Sequence, residues 1–211
     1  MHGRAFPIRI LLDYFGVDYE DSRISRPDFF VNKKAGKYTF GQVPVLFTED
    51  GKQLTQRWAI MRYLSQKYRG PNEEDLYNPI SDPETAYLID RLICEQEELV
   101  PKVVPFLIPY HPMYKNKDAA FLEFICNIFP AYLQKIEKLL KEHKGPYLLG
   151  SKITLADFVT SHLFFWIPHN PAYENSDIVA ACMANFPLTK VWVDKMQKVC
   201  EKSLLKNKSA F

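Results

Sequence analysis

Thiols and imidazoles are the side chains with reactive chemistry near neutral pH, and their spacing here limits what that chemistry is. Cys94, Cys126, Cys182 and Cys200 stand 32, 56 and 18 positions apart, with no CxxC pair and no metal-ligand spacing. They read as reduced, mostly buried thiols of a cytosolic protein. No cysteine occurs in residues 1–93, so the first part of the chain has no nucleophilic thiol to offer redox chemistry. His2, His111, His143, His162 and His169 are scattered, and His162, set in an apolar run, reads as a packed core residue. Thr154 and Asp157, three residues apart in "GSKITLADF", have the spacing of a reciprocal helix cap. No metal site is expected.

The elements that position these groups follow from the apolar pattern. The chain of 211 residues is 47% hydrophobic, 25% charged and 14% aromatic, the composition of a soluble globular protein with a substantial core. Its 27 basic and 25 acidic residues leave a net charge of +2, too balanced for a nucleic-acid binder. The lysines at 195, 198, 202, 206 and 208 read as a solvated helix face. Residues 1–15 carry charges throughout, and no 18-residue apolar run exists, so neither a signal peptide nor a membrane span is read and the expected location is the cytoplasm.

From Arg4 to Phe15, Ile8, Leu11, Leu12 and Phe15 fall on one helical stripe, with Pro7 in the first turn and Gly16 as a stop. "VDYEDSRI" then looks extended. After a lysine-containing connector, "VPVLFTEDGKQL" has the pattern of a β-hairpin turning at Asp50-Gly51. A helix is expected from Thr55, with Ala59, Ile60, Tyr63 and Leu64 on one face. Three prolines and a cluster of acids make the following stretch a linker. The expected domains are therefore 1–70 (mixed α/β), 71–83 (linker) and 84–211 (all-helical). In the last, Pro101, Pro105 and Pro109 should bend or end a helix over 84–110. Leu122, Ile125, Phe129, Leu133, Ile136 and Leu140 mark a second helix that Pro130 should kink. Ile153 and Phe158 flank the Thr154 cap as a staple, and the helix behind it, apolar through Trp166, should be the buried centre of the domain. Further helical segments follow Ser176 and Pro187.

"GRAFPIRILL", "FGQVPVL", "LTQRWAIMRYLSQKY" and "GSKITLADF", in this order and spacing, resemble a cytosolic glutathione transferase of the sigma, mu or pi type over nearly the whole chain. The resemblance implies a thioredoxin-like α/β N-terminal domain followed by an all-α C-terminal domain. It implies that glutathione, a co-substrate or ligand and not a cofactor, docks beside the strand that follows a cis-proline, here Val43-Pro44, with the Val43 main chain pairing like an added strand. The γ-glutamyl carboxylate belongs at the start of the helix near Thr55, beside Gln56. Arg57 stands where the family has a hydroxyl, and either binds that carboxylate as a charged donor or closes the pocket by its bulk. Lys34 lies near the family's lysine for the glycyl carboxylate, and Lys33 or Lys37 would serve as well. Glu98 matches a carboxylate that reaches the glutathione amine across a twofold interface, which implies a homodimer or a subunit of an assembly. Phe106, Tyr110 and Phe211 are placed near a hydrophobic electrophile.

The family also has a strand before the first helix, ending in a tyrosine whose hydroxyl stabilises the glutathione thiolate, the nucleophilic form of a thiol that otherwise ionises near pH 8.5. Only Met1 and His2 precede Gly3, so that strand is missing here and no catalytic residue is assigned. Two functions stay open: a transferase conjugating glutathione to hydrophobic electrophiles, its first strand lost by truncation of the sequence, and a noncatalytic binding or structural member of the family. A redox enzyme of thioredoxin type is disfavoured by the cysteine-free first domain.

Overall fold

A computed structural model describes residues 3–108, 111–170 and 173–207. The chain forms two compact units, one comprising Met1–Leu76 with Cys200–Phe211 and the other Tyr77–Val199. Residues 200–207 thus pack in the first unit, although the sequence pattern placed them with the helical domain.

In the first unit, α1 (Phe6–Tyr14) has Pro7 in its opening turn, where an amide has no helical partner to lose. It buries Phe6, Ile8, Ile10, Leu11 and Leu12 and packs against α3 (Arg57–Lys67), which buries Trp58, Ile60, Met61 and Leu64. Each such aliphatic side chain contributes about 1.5–3 kcal/mol of transfer free energy. The helix ends at Gly16 (φ +68°), with the Val17 amide donating to Leu12 O at 2.9 Å.

Residues 17–24, expected to be extended, join no ladder. The sheet among the described residues has only β1 (Val45–Phe47) and β2 (Gln53–Thr55), paired antiparallel with Val45 opposite Thr55. Salt bridges hold the segment instead: Arg9 and Arg23 each reach Asp21 at 2.7 Å. The hairpin turn lies where Asp50-Gly51 placed it, with Gly51 at φ +78° and the Thr48 amide donating to Lys52 O at 3.0 Å.

The connector contains a helix that the apolar pattern does not reveal, α2 (Arg26–Lys34). Its local signal is the run Ser25-Arg26-Pro27-Asp28, in which Ser25 Oγ accepts from the Asp28 amide at 3.2 Å. None of its residues is buried, so it has no apolar stripe to read. A short helix, α10 (Glu201–Lys206), completes this unit. The Asp13 carboxylate, buried in α1, accepts from Ser203 Oγ and from Lys206 Nζ, the latter at 2.5 Å.

The second unit is helical. Asp82 caps α4 (Pro83–Leu107) by accepting from the Thr85 amide, and the helix runs through Pro101 and Pro105. Ile108 is extended (φ −109°, ψ 104°), as the residue before a proline prefers. Between α5 (Lys117–Glu123) and α6 (Phe129–His143) lies a π-helical segment, Phe124–Ile128. Where Pro130 was expected to kink one helix, the wider turn stands just ahead of it. That is the natural place to absorb a ring that lacks an N–H and crowds the preceding turn. Leu122, read as an apolar-face residue, is exposed.

The centre is α7 (Leu155–Trp166), all twelve of whose residues are buried. The capping box forms, and Ile153 and Phe158 are both buried. Asp157 Oδ2 accepts from the Thr154 amide at 2.9 Å and from its hydroxyl at 3.1 Å. Its Oδ1 accepts from the Leu148 amide and from Trp192 Nε1, both at 2.9 Å. Burial pushes this carboxyl up from its ordinary range, and the four donors pull it back. His162 is buried and stacks on Trp166 at 5.4 Å. Following α8 (Ser176–Ala181), α9 (Pro187–Val199) is capped from α6: Glu137 accepts from the Leu188 and Thr189 amides at 3.1 and 2.8 Å. No described helix is long and apolar enough to cross a membrane.

Candidate functional site

The hairpin brings together the two stretches that carry candidate binding groups. Since Val45 pairs with Thr55, the residues just outside that pair, Val43-Pro44 and Gln56-Arg57, emerge side by side. Gln56 Nε2 lies 3.4 Å from Gln42 Oε1 across this end. The Val43-Pro44 bond is cis, and Val43 is 44% exposed at the mouth of the hairpin.

Gln56 is the residue before α3 and adopts φ +64°, ψ 106°. A left-handed backbone on a residue other than glycine costs on the order of 1–3 kcal/mol and persists only where its surroundings demand it. The demand here is geometric: within one residue the chain passes from the β2 ladder into a helix. The first intrahelical bond runs from the Ile60 amide to Gln56 O at 3.0 Å, so the amides of Arg57, Trp58 and Ala59 precede the helical ladder. Such a helix start carries about half a positive charge and suits a carboxylate.

Arg57 is 4% exposed, and its guanidinium carbon stands over the Trp58 ring, 4.1 Å from the centroid. All three lysines, Lys33, Lys34 and Lys37, are exposed. The stem of Lys33 packs beside Gly41: a Cβ built on Gly41 would stand 3.1 Å from its Cε and 3.6 Å from its Cγ. The lysine stem therefore passes the Gly41 backbone, two residues before Val43.

Glu98 is exposed on α4. Phe106 is 4% exposed inside an aromatic cluster with Phe121, Phe124 and Tyr173 at 5.6, 5.1 and 6.3 Å. Tyr110, Phe211 and His2 lie outside the described residues. The expectation of mostly buried thiols is corrected: Cys94 and Cys126 are exposed and only Cys200 is buried. An apolar residue alone does not tell which side of a helix faces out. The described residues hold no group of three or more His, Cys, Asp or Glu arranged for a metal ion.

Sequence reasoning passed over Gln42, which meets Gln56, and Gln53, which ties the loop before the hairpin to β2. Gln53 Oε1 accepts from the Thr39 amide and hydroxyl at 3.1 and 3.0 Å, and its Nε2 donates to Lys37 O at 3.0 Å. A glutamine in a three-residue strand carries no signal of this role until the loop is placed.

The family model of the glutathione S-transferase N-terminal domain matches residues 1–66, and that of the C-terminal domain matches residues 104–200. The chain is 30% identical to a glutathione S-transferase of Dirofilaria immitis, over 93% of this chain and 83% of the relative. It is 31% identical to glutathione S-transferase A2 of Bos taurus, over 89% and 76%. Among solved structures it is similar to a Pi-class glutathione S-transferase of Onchocerca volvulus, with a TM-score of 0.73, 28% identity and coverage of 100% of this chain and 91% of that one. The two matched domains and the relatives aligned over most of their length show that the chain belongs to the glutathione S-transferase family.

Proposed function

We propose that the first unit binds glutathione at the open end of the hairpin and that the protein conjugates it to hydrophobic electrophiles. The observation that carries this reading is the juxtaposition set by the Val45–Thr55 register: an exposed Val43, ahead of the cis bond to Pro44, beside a helix start held at a left-handed Gln56. The Val43 amide and carbonyl take the peptide part as an added strand. The amides of Arg57 and Trp58, with the Gln56 side chain, take the γ-glutamyl carboxylate. Lys33 takes the glycyl carboxylate in preference to Lys34, because its stem already lies beside Gly41. The acceptor sits in the helical unit, near Phe106.

The same reading makes the protein a homodimer. A shallow groove on α3 is lined by Ala59, Arg62, Tyr63, Gln66 and Lys67, and one on α4 by Pro83, Glu84, Tyr87 and Leu88. The first is basic and the second acidic, each around an exposed tyrosine, so α3 of one copy complements α4 of another. Glu98, on the exposed side of α4, then reaches the glutathione amine held by the second copy.

A noncatalytic, glutathione-binding role is the second reading, favoured by Arg57: a buried guanidinium on Trp58 replaces a hydroxyl donor at the carboxylate end of the cradle. Two measurements separate the cases: retention of the purified chain on immobilised glutathione, and its rate of conjugation with 1-chloro-2,4-dinitrobenzene. Retention with turnover supports the transferase, retention without turnover supports the binding protein, and failure of retention by a folded chain defeats both.

A further inference from the structure

The second unit concentrates positive charge where α6 and α9 pack together. The whole chain has a net charge of +2, yet residues 137–144 and 187–198 alone hold six lysines against three acids. Those acids have other duties. Glu137 caps α9, Glu142 lies 3.7 Å from Lys138, and Asp194 acts on His169. Lys141, Lys144, Lys190 and Lys198 are exposed.

Two contacts fix how the helices lie. Glu137, in the middle of α6, meets the first turn of α9. Lys195, two turns along α9, stands over the Tyr147 ring beyond the end of α6, 4.4 Å from its centroid. The helices therefore run side by side in the same direction. Lys141 and Lys144, one and two turns after Glu137, follow the seam on the same side of α6. On α9, Leu188, Val191, Lys195 and Lys198 recur at i, i+3, i+7 and i+10 and so share one stripe, on the side away from the buried Thr189, Val193 and Met196.

Lysines in the last turn of a helix complement its dipole, which accounts for Lys141 and Lys198. It does not account for Leu188 and Val191, which open the stripe 43% and 69% exposed. An aliphatic pair in line with a row of cations fits an anionic bilayer surface. The aliphatic groups enter the acyl boundary, and the lysine stems stretch along it with their ammonium groups among the lipid phosphates. A nucleic acid or an acidic polypeptide would engage the lysines and leave the aliphatic pair in water.

We propose that the face formed by α6 and α9 docks on an anionic phospholipid surface, with Leu188 and Val191 at the headgroup boundary and Lys141, Lys144, Lys195 and Lys198 on the lipid headgroups. The contact is peripheral, and therefore reversible and sensitive to salt. It does not depend on the reading of the hairpin mouth as a glutathione site.

The test is co-sedimentation of the full chain with vesicles of phosphatidylcholine alone or with about 30% phosphatidylserine. The wild type sediments with the anionic vesicles and not with the neutral ones, and raising the salt from about 50 to 300 mM releases it. Together, Lys141→Gln, Lys195→Gln and Lys198→Gln weaken partitioning about fivefold for each charge removed. The same change at the exposed Lys52, Lys102 and Lys115 leaves it within about twofold. Val191→Ser weakens it about threefold or more without altering its salt dependence, since apolar contact is lost and charge is kept. The inference is overturned if the wild type does not sediment with the anionic vesicles, or sediments equally with the neutral ones. It is also overturned if the two lysine triples cost the same or if Val191→Ser changes nothing. Retention on immobilised polyglutamate with the vesicles left unbound overturns it too, and assigns the face to an acidic polypeptide.

Discussion

α7 and α2 are helices of twelve and nine residues with opposite settings: every residue of the first is buried, and none of the second. α7 is held by apolar burial and a carboxylate that satisfies four donors, which suits a scaffold. α2 buries no residue, and the contacts seen on it include the Ser25 cap, the Phe29–Tyr38 ring stack and the Asn32–Tyr38 hydrogen bond, which suits an element of low local stability. The difference teaches where stability and function reside in this chain: the second unit keeps its helices packed on a dry core, and the candidate binding groups of the first stand at a hairpin mouth and on its least packed helix.

Substitutions should separate the two settings. The largest effect is expected at Asp157. Asp157→Ala orphans two buried amides and an indole N–H, and at about 1 kcal/mol or more for each unsatisfied donor the loss is about 3 kcal/mol or more. Urea unfolding should show it as a lower midpoint, and a loss under about 1 kcal/mol would break the claim that this carboxylate holds α7. Next comes Glu137→Gln, which weakens a charged cap on α9. A drop of about 1–2 kcal/mol is expected by the same measurement.

A smaller, pH-dependent effect belongs to His169, at the end of α7. Burial lowers its imidazole below the ordinary value, and Asp194 offsets this in part. The unfolded chain therefore takes up a proton at about pH 6.5 where the folded chain resists it. Stability is fully present above that value and falls as the pH drops through it toward the folded pKa. His169→Gln should flatten the melting temperature between pH 7.5 and 5.5, and an unchanged slope would count against the assignment. The smallest effect is expected on α2. Val31→Ala, at an exposed position, should change global stability by less than about 0.5 kcal/mol, and a loss above 2 kcal/mol would mean that α2 is packed after all.

The same contrast decides what the residues alone could reveal. α7 is legible because Thr154 and Asp157 have the spacing of a cap and an apolar run follows; the hairpin is legible from Asp50-Gly51. α2 is not, since Phe29, Phe30 and Val31 make no stripe and the helix is written only in Ser25 and Pro27. The strand expected at 17–24 failed for a different reason: extended backbone becomes a strand only when a partner supplies the ladder, and propensity does not report partners. At the site, Val43-Pro44 and Gln56 could be named from the resemblance, whereas the path of the Lys33 stem beside Gly41 follows only from the folded loop. The enclosure of Arg57 by Trp58 likewise depends on a rotamer, which a run of letters does not carry.

The central claim is that the hairpin mouth and the start of α3 cradle glutathione. A titration of the isotope-labelled chain with glutathione, followed by amide resonances in a proton–nitrogen correlation spectrum, tests it most directly. The account predicts saturable shifts concentrated at Gly41, Val43, Gln56, Arg57 and Trp58, with one ligand per chain. Saturable shifts elsewhere that leave these five amides in place, or no shifts at millimolar ligand, would contradict it.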